Sequence, residues 1–126
     1  MKYPYSRHDY PAAPMIEVVL SGAAERLQTE RLSAFVDTGA DGTLVPIRYL
    51  DEIHAPPTVE IAVRSQWSDS HRVMLYLVDI HIGDLFLPDV EVVGDLSGDE
   101  VVLGRDVLNH LRITLDGPKE IVGVFE

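Results

Sequence analysis

Apolar residues along this chain fall in short runs closed by glycine, proline or acidic turns, and only twice at helical spacing. Met15-Ile16-Glu17-Val18-Val19-Leu20 is a β-branched apolar run that stops at the turn signal Ser21-Gly22. Leu32-Ser33-Ala34-Phe35-Val36 reads as the returning strand and ends at Asp37-Thr38-Gly39. The polar stretch between them, Ala23 to Arg31, forms either a helical turn or a long hairpin tip. Thr58-Val59-Glu60-Ile61-Ala62-Val63 alternates as a half-buried strand does, and Val73 to Val78 is its antiparallel mate across the polar tip Arg64 to Arg72. Ile80 to Ile82 and Leu85 to Val93 make two more strands around the turn Gly83-Asp84. Pro88 marks an edge or a bulge there, because proline has no N–H to give to a ladder. Val101-Val102-Leu103 is a short buried strand stopped by Gly104. Ile113-Thr114-Leu115 and Ile121 to Phe125 flank Asp116-Gly117-Pro118, the clearest hairpin turn in the chain.

The two helical patterns are brief. Pro46 to Ile53 suits a short helix with Pro46 near its first turn, and Pro56-Pro57 ends it. Arg105 to Leu111 places Val107, Leu108 and Leu111 on one face of a two-turn helix. Pro4, Pro11 and Pro14 make residues 1–14 an extended arm, and residues 15–126 form the single domain expected of a 126-residue chain. Eight or so short strands with at most two short helices predict an all-β, mostly antiparallel barrel or sandwich.

Composition narrows the chemistry. Ten basic against 21 acidic side chains give a net charge of −11, which disfavours partners that present phosphates, so neither nucleic acid nor a membrane surface is expected as a partner. The chain has no cysteine, which removes disulfides, thiolate metal sites and thiol nucleophiles. The five histidines are scattered without an i, i+4 pair, and the acidic loop Asp95 to Glu100 reads as a solvated turn rather than a calcium site. No cofactor or metal is expected. The first ten residues lack the apolar core of a signal peptide, so the expected location is the cytoplasm.

One motif stands out. Asp37-Thr38-Gly39-Ala40 follows an apolar strand end directly, placing a carboxylate at a strand-to-loop junction beside a glycine that lets backbone approach a ligand. Alone it is also an ordinary turn. Farther on, Val102-Leu103-Gly104-Arg105-Asp106 leads from a strand into a short helix, where Asp106 reads as an anchor for the helix. The order is the stronger signal: an apolar strand into Asp-Thr-Gly-Ala, a hairpin with a polar tip, then apolar-apolar-Gly-Arg-Asp, a helix and a strand.

That ordered set resembles the retropepsin-like aspartic proteases, single-lobed relatives of pepsin that include retroviral proteases and small prokaryotic homologues, over Met15 to Leu115. The resemblance implies a retropepsin-like acid-protease β-barrel with one short C-terminal helix and one lobe per chain. It makes Asp37 the catalytic aspartate, with Thr38 and Gly39 supporting the active-site loop and the Thr38 hydroxyl bonding across to the partner subunit. Gly39 and Ala40 would lie against the substrate backbone. Asp41 would form an ion pair with Arg105 and touch substrate, and Phe35, Leu44 and Val102 would line side-chain pockets. Ser65 to His71 occupies the place of the family's flap, but this tip has no glycine, unlike retroviral flaps. Trp67 there either caps a bound peptide or packs on the barrel. The chain also continues past Arg112-Ile113-Thr114-Leu115 into an extra hairpin, and Ile121 to Phe125 is the segment expected at the dimer interface.

Physical chemistry requires two copies for this reading. Hydrolysis by carboxylates needs one acid and one base around a water, and two adjacent carboxyls share a proton because both cannot ionise. The chain has one Asp-Thr-Gly and is too short for a two-lobed enzyme, so a two-fold axis must bring Asp37 of each protomer together. The expected function is therefore a homodimeric aspartic endopeptidase acting on polypeptide. The alternatives are a peptide-binding or dimerisation module on the same fold and an unrelated barrel with a chance Asp-Thr-Gly turn. Because each protomer carries −11, association works against repulsion. Sedimentation should show tighter dimers at mildly acid pH and, near neutrality, at raised salt. Tighter dimers at high pH and low salt would contradict this.

Overall fold

A computed structural model of the chain describes residues 1–23, 26–64 and 70–125, and across them the apolar runs become ten strands and two short helices. In chain order these are β1 (Lys2–Pro4), β2 (Met15–Gly22), β3 (Leu32–Val36), β4 (Leu44–Pro46), α1 (Ile47–Glu52), β5 (Pro57–Arg64), β6 (Ser70–Ile82), β7 (Leu85–Asp95), β8 (Val101–Leu103), α2 (Arg105–Leu108), β9 (Arg112–Asp116) and β10 (Ile121–Phe125). Seven strands form one sheet in the order β2-β3-β8-β4-β7-β6-β5, and a further pairing of β2 with β6 closes six of them into a barrel. β5 hangs outside the ring, bonded to β6. The pairings are antiparallel except β3 with β8 and β4 with β7, so the architecture is the mostly antiparallel β-barrel expected.

Alternation explains which side of each strand faces inward. On β2, Ile16, Val18 and Leu20 are buried while Glu17 between them is exposed. They meet Val78, Ile80 and Ile82 from β6, Val92 from β7 and Leu103 from β8 inside the barrel. α1 adds Leu50, and Ile53 follows just behind it; Pro46 sits at the helix N-cap, where its missing N–H costs nothing. The polar stretch after β2 belongs to a hairpin, since Gln28 bridges back to Ser21.

Four elements depart from the sequence pattern: β6, α2, β1 within the N-terminal segment, and β4, a three-residue strand that the pattern did not mark. Val73 to Val78 and Ile80 to Ile82 are not separate strands but one 13-residue strand, β6. The interruption at Asp79 is a bulge: the partners across β7 pass from Val78↔Val90 to Ile80↔Leu87, which leaves one extra residue on β7 at Pro88-Asp89. Asp89 takes a left-handed φ of 55°, and its N–H donates to Oδ1 of the buried Asp79 at 2.9 Å. A carboxylate in the middle of an apolar strand thus satisfies the amide that the bulge leaves over. The second departure is α2, which is helical only over Arg105–Leu108. The chain then tightens, with His110 N donating to Val107 O and Leu111 N to Leu108 O, both at 3.0 Å, before it enters β9.

The remaining strands form a separate sheet in the order β1-β10-β9. Residues 2–4 of the proline-rich N-terminal segment are therefore a strand, registered as Lys2↔Gly123, Tyr3↔Val122 and Pro4↔Ile121. Burial pushes the Tyr3 phenol above its ordinary value, and the charge of Glu17 adds to the shift. Ser6 and Ala13 then bridge, closing the intervening residues into a loop. Ile121 to Phe125, the segment expected to face a second copy, lies in the middle of this sheet. β9 bonds to one side of it and β1 to the other, so it has no free ladder edge to offer.

Removing the Asp79 carboxylate orphans a backbone donor in the bulge. Asp79→Ala should lower unfolding stability by about 1–3 kcal/mol, and Asp79→Asn, which keeps an acceptor oxygen, should lose less. Urea midpoints at constant m-value test both, and equal losses would remove the bulge contact as the cause.

Candidate active site

The parallel pairing of β3 with β8 sets the position of Asp37. Val36 lies opposite Leu103, and one residue on, Asp37 N donates to Leu103 O at 3.1 Å. The chain leaves the sheet there and turns, with Ala40 N donating to Asp37 O at 3.2 Å. The half-buried Asp37 carboxylate is oriented by its own loop, its Oδ1 accepting the Gly39 N–H at 2.9 Å. A Cβ at position 39 would stand 3.2 Å from that oxygen, so glycine here leaves the carboxylate uncrowded.

The start of α2 pins this loop from behind. Arg105 N donates to Ala40 O at 2.9 Å, and Arg105 Nη1 donates to Thr38 O at 2.8 Å. The other guanidinium nitrogen, Nη2, pairs with Asp41 Oδ1. Asp41 is almost fully exposed, so the worth of this pair lies in fixing the loop rather than in electrostatic stability. Deeper, Thr43 is fully buried and its hydroxyl donates to Asp106 Oδ1 at 2.7 Å while accepting Gly104 N–H at 3.1 Å. Thr43 N adds a 3.2 Å bond to Asp106 Oδ2, and Asp106 Oδ1 also accepts Val107 N–H at 2.9 Å. Gly104 is pressed so close to the loop that a Cβ on it would sit 2.5 Å from Gly42 O. Asp106 is thus an anchor, and it secures the loop as well as the helix.

In front of the loop lies a groove of about 790 Å³. Gly39, Ala40, Asp41, Gly42 and Leu44 form one wall. Ile61, Ala62 and Val63 of β5, with Val73 and Leu75 of β6, form the other, and Glu91 and Val93 of β7 lie between. A second hollow of about 580 Å³ continues it past Leu44, Val73 and Val93 toward Asp95, Leu96 and Ser97. At its rim Arg72 and Glu60 form an ion pair at 3.0 Å. Asp95 is occupied by its own turn, its Oδ1 accepting the N–H groups of Ser97 and Gly98 at 3.1 and 3.0 Å.

The residues singled out in the sequence divide by position. Asp37, Thr38, Gly39, Ala40, Asp41 and Arg105 come together around the loop, and Leu44 walls both hollows. Phe35 does not reach this groove. It borders a separate hollow of about 230 Å³ with Asp9, Pro11, Ala13 and Glu100, because the chain before β2 runs alongside it. Val102 is half-buried between Phe35 and Leu44 in the sheet, paired to both, and is not part of the groove wall. Trp67 lies outside the described residues. The walls supplied by Ile61, Val63, Val73, Leu75, Glu91 and Val93 were not singled out, nor was Thr43. Val59 and Val63, exposed on a strand with alternating pattern, carried the available signal for an open apolar face.

Residues 25–110 match the profile of a family described as gag-polyprotein putative aspartyl protease. No curated protein matches the chain. Among solved structures it is similar to a retropepsin-like aspartic protease from Rickettsia conorii, at 14% identity and a TM-score of 0.61, covering 97% of this chain and 86% of that one. It is also similar to EIAV protease complexed with the inhibitor HBY-793, at 14% identity and a TM-score of 0.59, over 86% and 93% of the two chains. The retroviral protease-like domain of Ddi1 from Leishmania major follows at 16% identity, with a TM-score of 0.53 and 88% of each chain covered. At these identities the likeness is one of fold.

The buried junction behind the loop is directly testable. Thr43→Val keeps the shape but leaves Gly104 N–H unpaired and removes a donor from the Asp106 carboxylate, and should cost about 2–4 kcal/mol of unfolding free energy. Thr43→Ser should recover most of it. Denaturant unfolding of the three proteins checks the order, and a valine variant as stable as wild type would contradict it.

Proposed function

The chain belongs to the family of gag-polyprotein putative aspartyl proteases and has the retropepsin-like fold, and from that premise we propose that it is a homodimeric aspartic endopeptidase. The observation that carries this is the Asp37 carboxylate at the strand-to-loop junction, held by Gly39 and backed by the Arg105–Asp106 junction, on a loop whose Gly39, Ala40 and Asp41 wall a groove of about 790 Å³. One such loop per chain is half of an acid–base pair, and a second protomer supplies the other half.

In the dimer the two Asp37 carboxyls share one proton. The ionised one takes a proton from a water held between them, and the resulting hydroxide attacks the scissile carbonyl carbon. The protonated carboxyl gives its proton to the carbonyl oxygen, which produces a neutral tetrahedral diol. Collapse breaks the C–N bond, with one proton delivered to the leaving nitrogen and the other returned to the carboxyl pair. Ala40, Leu44, Val73 and Val93 present apolar surface to the bound chain, so apolar side chains beside the cleaved bond are favoured.

A second reading rests on the sequence Ser65 to His71, which contains no glycine: a peptide-binding or dimerisation module that does not turn over. One experiment separates the two. Cleavage of a peptide library is measured across acid to neutral pH, alongside sedimentation, for wild type and Asp37→Asn. The protease reading expects cleavage by wild type and a loss of about 10²–10⁴-fold in the variant with the dimer retained. Cleavage unchanged by Asp37→Asn overturns it. Peptide binding without turnover, equal in both proteins, establishes the module instead.

A further inference from the structure

Most of the carboxylates that line the groove and the hollow continuing it are already matched within the protein. Asp41 pairs with Arg105, Glu60 at the rim pairs with Arg72, and Asp95 accepts two N–H groups of its own turn. Glu91 is the exception. It stands on the groove wall, and among the described residues no cation lies within ion-pair distance of it. Among them its carboxylate receives one bond, from the Thr58 hydroxyl to Oε2 at 3.3 Å. That hydroxyl also faces Leu75 O at 3.3 Å, so a single proton is divided between two acceptors.

The surroundings of this carboxylate define what suits it. Glu91 and Val93 are two residues apart on β7 and share a face. Leu75 of β6 lies opposite Val93, and Leu77 lies opposite Glu91. The parallel pairing of β4 with β7 sets Leu44 beside Val93, and two places back along that register Gly42 comes level with Glu91. A Cβ on Gly42 would meet no atom within 4 Å, so the groove is open at this point. A side chain lying along this stretch crosses Leu75 and Val93 to reach Glu91. Lysine and arginine are built for such a path, with an apolar stem and a cationic head. An aliphatic side chain of the same length strips water from the carboxylate without replacing it, and an acidic one adds repulsion. The net charge of −11 acts in the same direction at long range, because it draws basic chains toward the protein.

We propose that Glu91 makes this groove selective for polypeptides with a lysine or arginine at one position, the stem lying on Leu75 and Val93 and the cationic head against the Glu91 carboxylate. The proposal rests on the reading of this groove as the polypeptide site and names the class of chain it prefers. It adds a charged requirement at one position to the apolar preference beside the cleaved bond.

Peptides identical except at one position test this, with lysine, norleucine or glutamate walked along the sequence. Their binding to the full-length Asp37→Asn protein is read by fluorescence anisotropy, and their cleavage by wild type is followed in parallel. At one position lysine should bind about tenfold more tightly than norleucine, and glutamate more weakly than either. The ratio should shrink as salt is raised. In cleavage by wild type the same ratio should fall in KM rather than kcat. Adding Glu91→Gln to Asp37→Asn should bring the ratio to about one, and adding Glu91→Lys should invert it in favour of glutamate. A misfolded wall would weaken all three peptides together, so inversion reports the charge itself. A lysine preference that survives Glu91→Gln, or no lysine preference at any position, overturns the role of Glu91 while cleavage by wild type keeps the protease reading. A lysine preference in binding that Glu91→Lys inverts, with no cleavage by wild type, sustains Glu91 and overturns the protease. Neither binding nor cleavage of any peptide overturns both.

Discussion

The loop that carries the Asp37 carboxylate is braced from behind by one buried contact, that of Thr43 with Asp106 and Gly104. The threonine hydroxyl is donor to a carboxylate and acceptor from a backbone amide at once, and the carboxylate also accepts the Val107 N–H of its own helix. This is a charge-assisted network around a threonine that is itself fully buried, where an unpaired group is costly. Gly104 lets the two backbones approach to a distance no side chain would allow. The outer layer, Arg105 on Thr38 O and Asp41, then steadies a loop already fixed from below. A carboxylate on a loop is thereby given the positional certainty of a sheet.

Much of this was visible in the sequence because it is local. Strand periodicity located the barrel strands other than β4, Pro46 marked the helix that follows it, and Pro88 marked an edge or a bulge because proline lacks a donor. Asp37 stood out because Asp-Thr-Gly-Ala after an apolar strand is followed, in order, by a hairpin and apolar-apolar-Gly-Arg-Asp; alone it is an ordinary turn. What was hidden depends on partners distant in the chain. Asp79 splits an apolar run into two apparent strands, and only the amide of Asp89 across the sheet explains why the strand continues through it. β10 has the pattern of a terminal edge strand, yet the N-terminus returns to cover it. Phe35 faces the stretch before β2 rather than the groove, because that stretch and β3 run side by side. Thr43 gave no signal at all, since one threonine between a glycine and a leucine has no periodicity to betray its burial.

The groove is also a product of unequal parts. One wall is a loop cross-braced by the network just described. The other is the β5–β6 hairpin, of which β6 belongs to the closed ring and β5 does not. Cooperative stability in such a structure is graded: the ring and its core open only with the whole molecule, whereas β5 holds on by a single ladder and can part from it locally.

That asymmetry has an evolutionary consequence. A strand outside the barrel contributes little to its core, so Ile61, Ala62 and Val63 can be exchanged at small cost to folding while each exchange reshapes one side of the groove. The opposite wall has less latitude, because behind it a Cβ on Gly104 would meet Gly42 O at 2.5 Å and the buried Thr43 hydroxyl is bonded on both sides. Selection on a chain built this way can revise one side of the groove while the Asp37 loop stays the same.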